Sequence, residues 1–166
     1  MKPLLVILMG SNADSAHAEK IAAAARPFGI DVEMRIGSAH KTADHVLSLL
    51  FAYEADPRPK VYVTIAGRSN ALSGFTDGAV ASPVIACPPY SEKFGGADVF
   101  SSLNMPSGIA PAMVLEPANA ALLAAKIFAL ADPEIRKTVK KIQSANRETI
   151  LADDARVWSG NHVDIP

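Results

Sequence analysis

At 166 residues with 49% hydrophobic side chains, the chain has the size of one compact domain and enough apolar content to bury a substantial core. With 16 basic against 17 acidic residues and a formal charge of -1, it has no electrostatic footprint for a nucleic-acid duplex or an anionic membrane. The single cysteine, Cys87, excludes both an internal disulfide and a zinc ribbon. In chain order, the first apolar run is Leu4–Met9, far too short to span a membrane. The polar stretch Gly10–Asp14 follows it at once with no small-residue cleavage site, so it reads as a buried strand of a cytoplasmic protein. Further strands are expected over Val32–Ile36, Val61–Ala66, Pro83–Ala86 and Met113–Leu115. Between them Asp14–Phe28, Thr42–Ala55, Asn70–Val80 and Asn119–Ala131 carry apolar positions three and four apart, the period of amphipathic helices. This alternation predicts an α/β sandwich on a parallel sheet, in one domain over residues 1–158.

The segment Glu134–Arg156 differs. Its lysines, arginine and aspartates leave only a narrow stripe through Ile135, Val139, Ile142, Ile150 and Val157, so a long helix there is expected to pack on a neighbouring subunit. The 29 alanines and the positive mean hydropathy point the same way, to a homo-oligomer. Residues 159–166 are expected to form a flexible tail.

In an open parallel sheet, ligands bind beyond the carboxyl ends of the strands. Three such ends begin with glycine and carry small polar side chains: Gly10-Ser11-Asn12-Ala13-Asp14, Gly37-Ser38-Ala39-His40-Lys41-Thr42, and Gly67-Arg68-Ser69-Asn70-Ala71-Leu72-Ser73-Gly74. Glycine lets the backbone approach a ligand, and hydroxyls with free N–H groups hold an anion; helix capping alone would also favour Ser and Asp at these places. The first loop has one glycine and matches neither a dinucleotide fingerprint nor a P-loop. What remains is a site for one phosphate and its sugar, with Ser11 and Ser38 as donors, Lys41 as cation and Asp14 as acceptor for ribose hydroxyls. No cofactor is called for.

Histidine occurs at 17, 40, 45 and 162. His17 and His45 fall inside expected helices, where a solvated or capping role is the simpler reading, and His162 falls in the tail. His40 lies between a strand end and a helix start, and an imidazole there suits proton transfer near neutrality. His40 and His45 lack a carboxylate set beside them, so no metal is implied. Cys87 reads as a small core residue at a strand end. Met105 is read either as a wall of a base pocket or as a gap-filler.

Taken together, Met9-Gly10-Ser11 with Asp14, Gly37-Ser38-Ala39-His40, and Ser102-Leu103-Asn104-Met105-Pro106-Ser107-Gly108-Ile109 resemble the PurE family of purine biosynthesis, over about Leu4 to Asp154. In the class I mutases of that family the histidine is followed by arginine and Thr-Pro. Here His40-Lys41-Thr42-Ala43 and Gly67-Arg68-Ser69-Asn70-Ala71 are similar to class II, which uses carbon dioxide directly. Ala13 departs from the pattern, since many members have serine there.

The resemblance implies a flavodoxin-like three-layer sandwich with an extended C-terminal helix, assembled as an octamer. It implies reversible carboxylation of 5-aminoimidazole ribonucleotide by CO2 without ATP or biotin. His40 would move the proton at the ring carbon. Ser11, Asp14, Ser38 and Lys41 would hold the ribose phosphate, and Gly67, Arg68, Ser69, Asn70 and Ala71 would flank the ring and CO2, with Met105 near the base. The alternatives are a class I N5-carboxyaminoimidazole ribonucleotide mutase and a non-catalytic nucleotide-phosphate module.

Overall fold

A computed structural model describes residues 1–92 and 95–160. Five parallel strands, β1 (Leu4–Met9), β2 (Asp31–Ile36), β3 (Lys60–Ile65), β4 (Val84–Ala86) and β5 (Ala112–Met113), form one sheet in the order β2-β1-β3-β4-β5. Helices α1 (Ser15–Ala25), α2 (Ala43–Glu54), α3 (Ala71–Asp77), α4 (Phe100–Leu103), α5 (Pro117–Phe128) and α6 (Pro133–Gly160) complete the chain. Every residue of β1 is buried, which is why its sequence is continuously apolar rather than alternating. Leu5, Ile7 and Met9 face a core built with α1, α5 and the start of α6, while Leu4, Val6 and Leu8 face α2 and α3. That two-sided burial makes the α/β sandwich expected from the alternation of elements, in the three-layer, flavodoxin-like form that the resemblance implies.

The expected elements are present with shifted ends, and each shift has a physical cause. The first helix stops at Ala25 and tightens into a 3-10 turn over Arg26–Phe28, because Pro27 has no N–H for the α-helical ladder; Gly29 then closes it at φ 73°. β2 is an edge strand, and Met34 and Ile36 are exposed rather than packed. The four-residue α4 has too short a period to be read from sequence. The last helix runs on through Ser159 and Gly160, where the tail was expected to begin, and residues 161–166 with His162 lie outside the described region.

The sheet's register aligns the loops. Met9 stands beside both Ile36 and Ile65, so the first three strands end at one level. The ladder carries on one step past the strands: the Gly10 N–H donates to the Ile65 carbonyl at 2.8 Å, and the Gly37 N–H to the Met9 carbonyl at 2.8 Å. Gly37 is also required sterically, since a Cβ there would lie 2.7 Å from Cγ2 of Val46 in α2. Sequence separated these turns by some thirty residues each; pairing brings them to one edge, where strand order reverses between β1 and β3.

Candidate active site

Beyond that edge opens a cleft of about 590 Å³, bordered by Gly10, Ser11, Ala13, Asp14, Ser38, His40, Lys41, Ala66, Gly67, Arg68 and Ser69. Eight of the residues given site roles from sequence are here; Gly10 and Ala13 join them as members of the same first loop, and Ala66 as the residue just before the third. A smaller cavity of about 180 Å³ adjoins through Ala66 and Gly67 and is walled mainly by Pro88, Pro89, Tyr90, Val99 and Leu115, with Asp98 and Ser91 as its polar groups. At the opposite edge of the sheet a space of about 440 Å³ includes Lys60 and Asp132. The Lys60 ammonium donates to the Asp56 and Arg58 carbonyls, and Oδ1 of Asp132 accepts the first N–H groups of α6, so both side chains are engaged in holding the fold.

Each loop is held from within. In the first, Oδ2 of Asp14 accepts the Ser11 backbone N–H at 3.0 Å and its hydroxyl at 3.2 Å, which fixes the turn just before α1. Asp14 therefore has a structural duty in addition to the ribose contact expected of it. In the second, the Thr42 hydroxyl accepts the Ser38 N–H at 3.0 Å, while the Thr42 N–H returns to the Ser38 carbonyl at 2.8 Å. Ser38 can thus offer its hydroxyl to a ligand but not its amide. His40 and Lys41 sit on top of this closed turn with exposed side chains that bond no other described residue. Lys41 and Arg68 bring two positive charges to the cleft against the one carboxylate of Asp14, a balance that suits a phosphate ester.

The third loop is the most constrained. Arg68 has φ 60°, and among the described residues it alone has positive φ without being glycine. Asn70 is buried: its Oδ1 caps α3 by accepting the Ser73 N–H at 3.2 Å, and its Nδ2 donates to the Ser102 hydroxyl at 2.8 Å. Asn70 and Ala71, expected beside the substrate, do not border the cleft; Asn70 shapes the loop and Ala71 opens α3. Met105 is also elsewhere. Its sulfur lies 3.1 Å from where a Cβ on Gly74 would be, so it fills a gap against α3.

Two residues acquire partners that spacing could not reveal. His17 is half-buried on α1 with Nε2 3.4 Å from Sγ of Cys87, and the thiol reaches the Leu115 carbonyl at 3.7 Å. Burial pushes the Cys87 thiol up to about 12 and lowers the His17 imidazole. Cys87 is a protonated core residue, as its apolar flanks suggested. His45 is exposed on α2, in keeping with a solvated role.

The AIR carboxylase family model matches residues 4–149. The chain is 61% identical over 157 residues to phosphoribosylaminoimidazole carboxylase of Treponema denticola, covering 95% of this chain and 99% of that one. It is 55% identical to the enzyme of the same name from Archaeoglobus fulgidus, over 90% and 82% of the two chains. It also matches the mouse bifunctional phosphoribosylaminoimidazole carboxylase/phosphoribosylaminoimidazole succinocarboxamide synthetase at 48% identity, over 76% of this chain and 30% of that longer polypeptide. The crystal structure of Treponema denticola PurE superposes with a TM-score of 0.92, covering 93% of this chain and 98% of that one.

Proposed function

The chain belongs to the AIR carboxylase family, and on that premise we propose that the cleft grips 5-aminoimidazole ribonucleotide while His40 moves the proton at its ring carbon. The activity is the carboxylation step of purine biosynthesis. Lys41, Ser11 and Ser38 hold the phosphate, Asp14 takes a ribose hydroxyl through the oxygen not committed to Ser11, and Gly67, Arg68 and Ser69 flank the reacting end. The apolar cavity adjoining at Ala66 and Gly67 offers a water-poor neighbourhood for carbon dioxide, which presents almost nothing to bind.

The substrate's C4 is an enamine carbon beside an exocyclic amine. Its electron pair forms the bond to the carbon of CO2, and the displaced π pair becomes carboxylate charge. The adduct still carries the C4 proton. His40 takes that proton, the C–H pair returns to the ring, and aromaticity is restored. In reverse, His40 protonates C4 and CO2 departs. The chemistry draws on no ATP, biotin or metal.

The observation that carries this reading is one cleft bordered together by His40, two cations and hydroxyl-bearing turns from three strand ends. The test is the purified chain with aminoimidazole ribonucleotide and bicarbonate, without ATP. Product that rises with dissolved CO2 supports the class II reading. Consumption of only the N5-carboxy compound would establish the mutase instead, and saturable binding without turnover would establish a binding module. Exposed apolar residues along α6 support a homo-oligomer, which the resemblance gives as an octamer, and a cytoplasmic location fits the same reading. No helix among the described residues is long and apolar enough to cross a membrane.

A further inference from the structure

Resting on the carboxylation reading above, we propose that Asp98 is a positioning residue: with Ser101 it clamps the third strand-end loop in the left-handed turn at Arg68, and so sets where the reacting end of the substrate meets carbon dioxide. A left-handed backbone is unfavourable for a side chain as large as arginine, and such a conformation persists only where its surroundings hold it. Here the hold is explicit. Oδ2 of Asp98 accepts the Arg68 N–H at 3.1 Å. The Ser101 hydroxyl accepts the Asn70 N–H at 3.0 Å and shares its proton between the Asp98 carbonyl at 2.7 Å and the Arg68 carbonyl at 3.1 Å.

The amides on either side of Ser69 are therefore both committed to the 98–101 segment, and Ser69 is presented to the cleft between two fixed points. The same segment walls the small apolar cavity through Asp98 and Val99. One short element thus borders one cavity and ties the loop that borders the other. Ser11, Ser38 and Lys41 stand on different loops with their own internal hydrogen bonds, so releasing the clamp disturbs the reacting end and leaves the phosphate end in place.

The experiment compares Asp98→Ala and Asp98→Asn in the full-length chain. Asparagine keeps an oxygen that can accept the Arg68 N–H; alanine removes it. Asp98→Ala is expected to lower kcat roughly 10- to 100-fold, the scale of a small misplacement, with KM for the ribonucleotide changed by less than about threefold. Asp98→Asn is expected to restore kcat to within about threefold of the parent. Equal loss in both variants would mean that the negative charge itself is used, and would overturn the positioning role. Unchanged kcat in Asp98→Ala, or a rise confined to KM, would overturn it as well. Hydrogen exchange at the Arg68 amide separates this inference from the functional reading. If the parent chain fails to carboxylate, the reading falls, yet faster exchange in Asp98→Ala than in Asp98→Asn still upholds the clamp, and equal exchange removes it. Should the alanine variant not fold, parent-like kcat and exchange in Asp98→Asn uphold the inference, and a kcat loss beyond tenfold there ends it.

Discussion

Nε2 of His17 lies 3.4 Å from Sγ of Cys87, although the two are 70 residues apart in the chain. With the thiol proton directed to the Leu115 carbonyl, the sulfur accepts from the imidazole in the tautomer that carries its proton on Nε2. The pair links α1, just after the first loop, to the ends of β4 and β5. Cys87 is completely buried and its thiol sits near 12, so it is expected to resist a thiol reagent in the folded protein at pH 8. Labelling is expected to follow unfolding; rapid stoichiometric labelling of the native chain would contradict this placement.

The same pair gives stability a pH dependence on two flanks. The His17 imidazole is lowered from 6.5, chiefly by burial, so its neutral form belongs to the folded state. Its contribution is complete above 6.5 and is lost as pH falls toward the folded value, because the unfolded chain then binds the proton more readily. The Cys87 thiol is raised from 9.0 to about 12, chiefly by burial. Its contribution is complete below 9 and is lost as pH rises from there toward 12. Urea unfolding from pH 5 to 7 is expected to give a shallower rise of stability in His17→Gln than in the parent. An identical slope would place the acid sensitivity elsewhere.

His40 carries the chemistry in the proposed mechanism and bonds no other described residue, so its loss is not expected to cost structure. His40→Asn is expected to fold and assemble like the parent while carboxylation falls by two to four orders of magnitude, the usual scale for a positioned acid or base. Steady-state rates beside circular dichroism check this. Turnover within about tenfold of the parent would remove His40 from proton transfer.

How much of this was legible beforehand follows from the range of each interaction. The unbroken apolar run Leu4–Met9 declared a buried strand, and the glycine-led polar turns declared the loops that border the cleft, because both signals are local. Register was not local, yet strand-end periodicity plus the parallel-sheet rule sufficed to bring the three turns to one edge. The reading and the structure part where a polar side chain is engaged by the fold itself. Asn70 looks like a donor for substrate, and only its contact with Ser102, 32 residues later, shows that it is committed to the turn. His17 looked solvated for the same reason. Met105 belonged to a correctly singled-out motif, but Gly74, the neighbour that leaves room for its sulfur, lies on another element.

Lys41 tests the phosphate end separately from the proton-transfer end. It forms no ion pair with the described residues and stands beside Ser38 at the rim of the cleft. Lys41→Ala is expected to raise KM for the ribonucleotide about tenfold, the worth of one charge-assisted contact, with a smaller change in kcat. The KM difference between parent and variant is expected to shrink with added salt, since an exposed point charge is screened. A loss confined to kcat would move Lys41 away from the phosphate.

The last helix provides the test of assembly. Its first turns are anchored to the chain's own core by Ile135 and Val139, but further on Ile150, Leu151 and Val157 are 67%, 50% and 63% exposed. A helix of 28 residues reaches about 42 Å, far beyond the sheet it starts from. Leaving three large apolar groups in water forgoes about 1.5–3 kcal/mol for each that could be fully buried, which a neighbouring copy would recover. Ile150→Glu with Leu151→Glu is expected to reduce the mass measured by size-exclusion chromatography with light scattering, whereas Gln143→Glu, an exposed polar position on the same helix, is expected to leave it unchanged. A doubly charged variant that keeps the parent mass would show that this stretch of α6 takes no part in assembly.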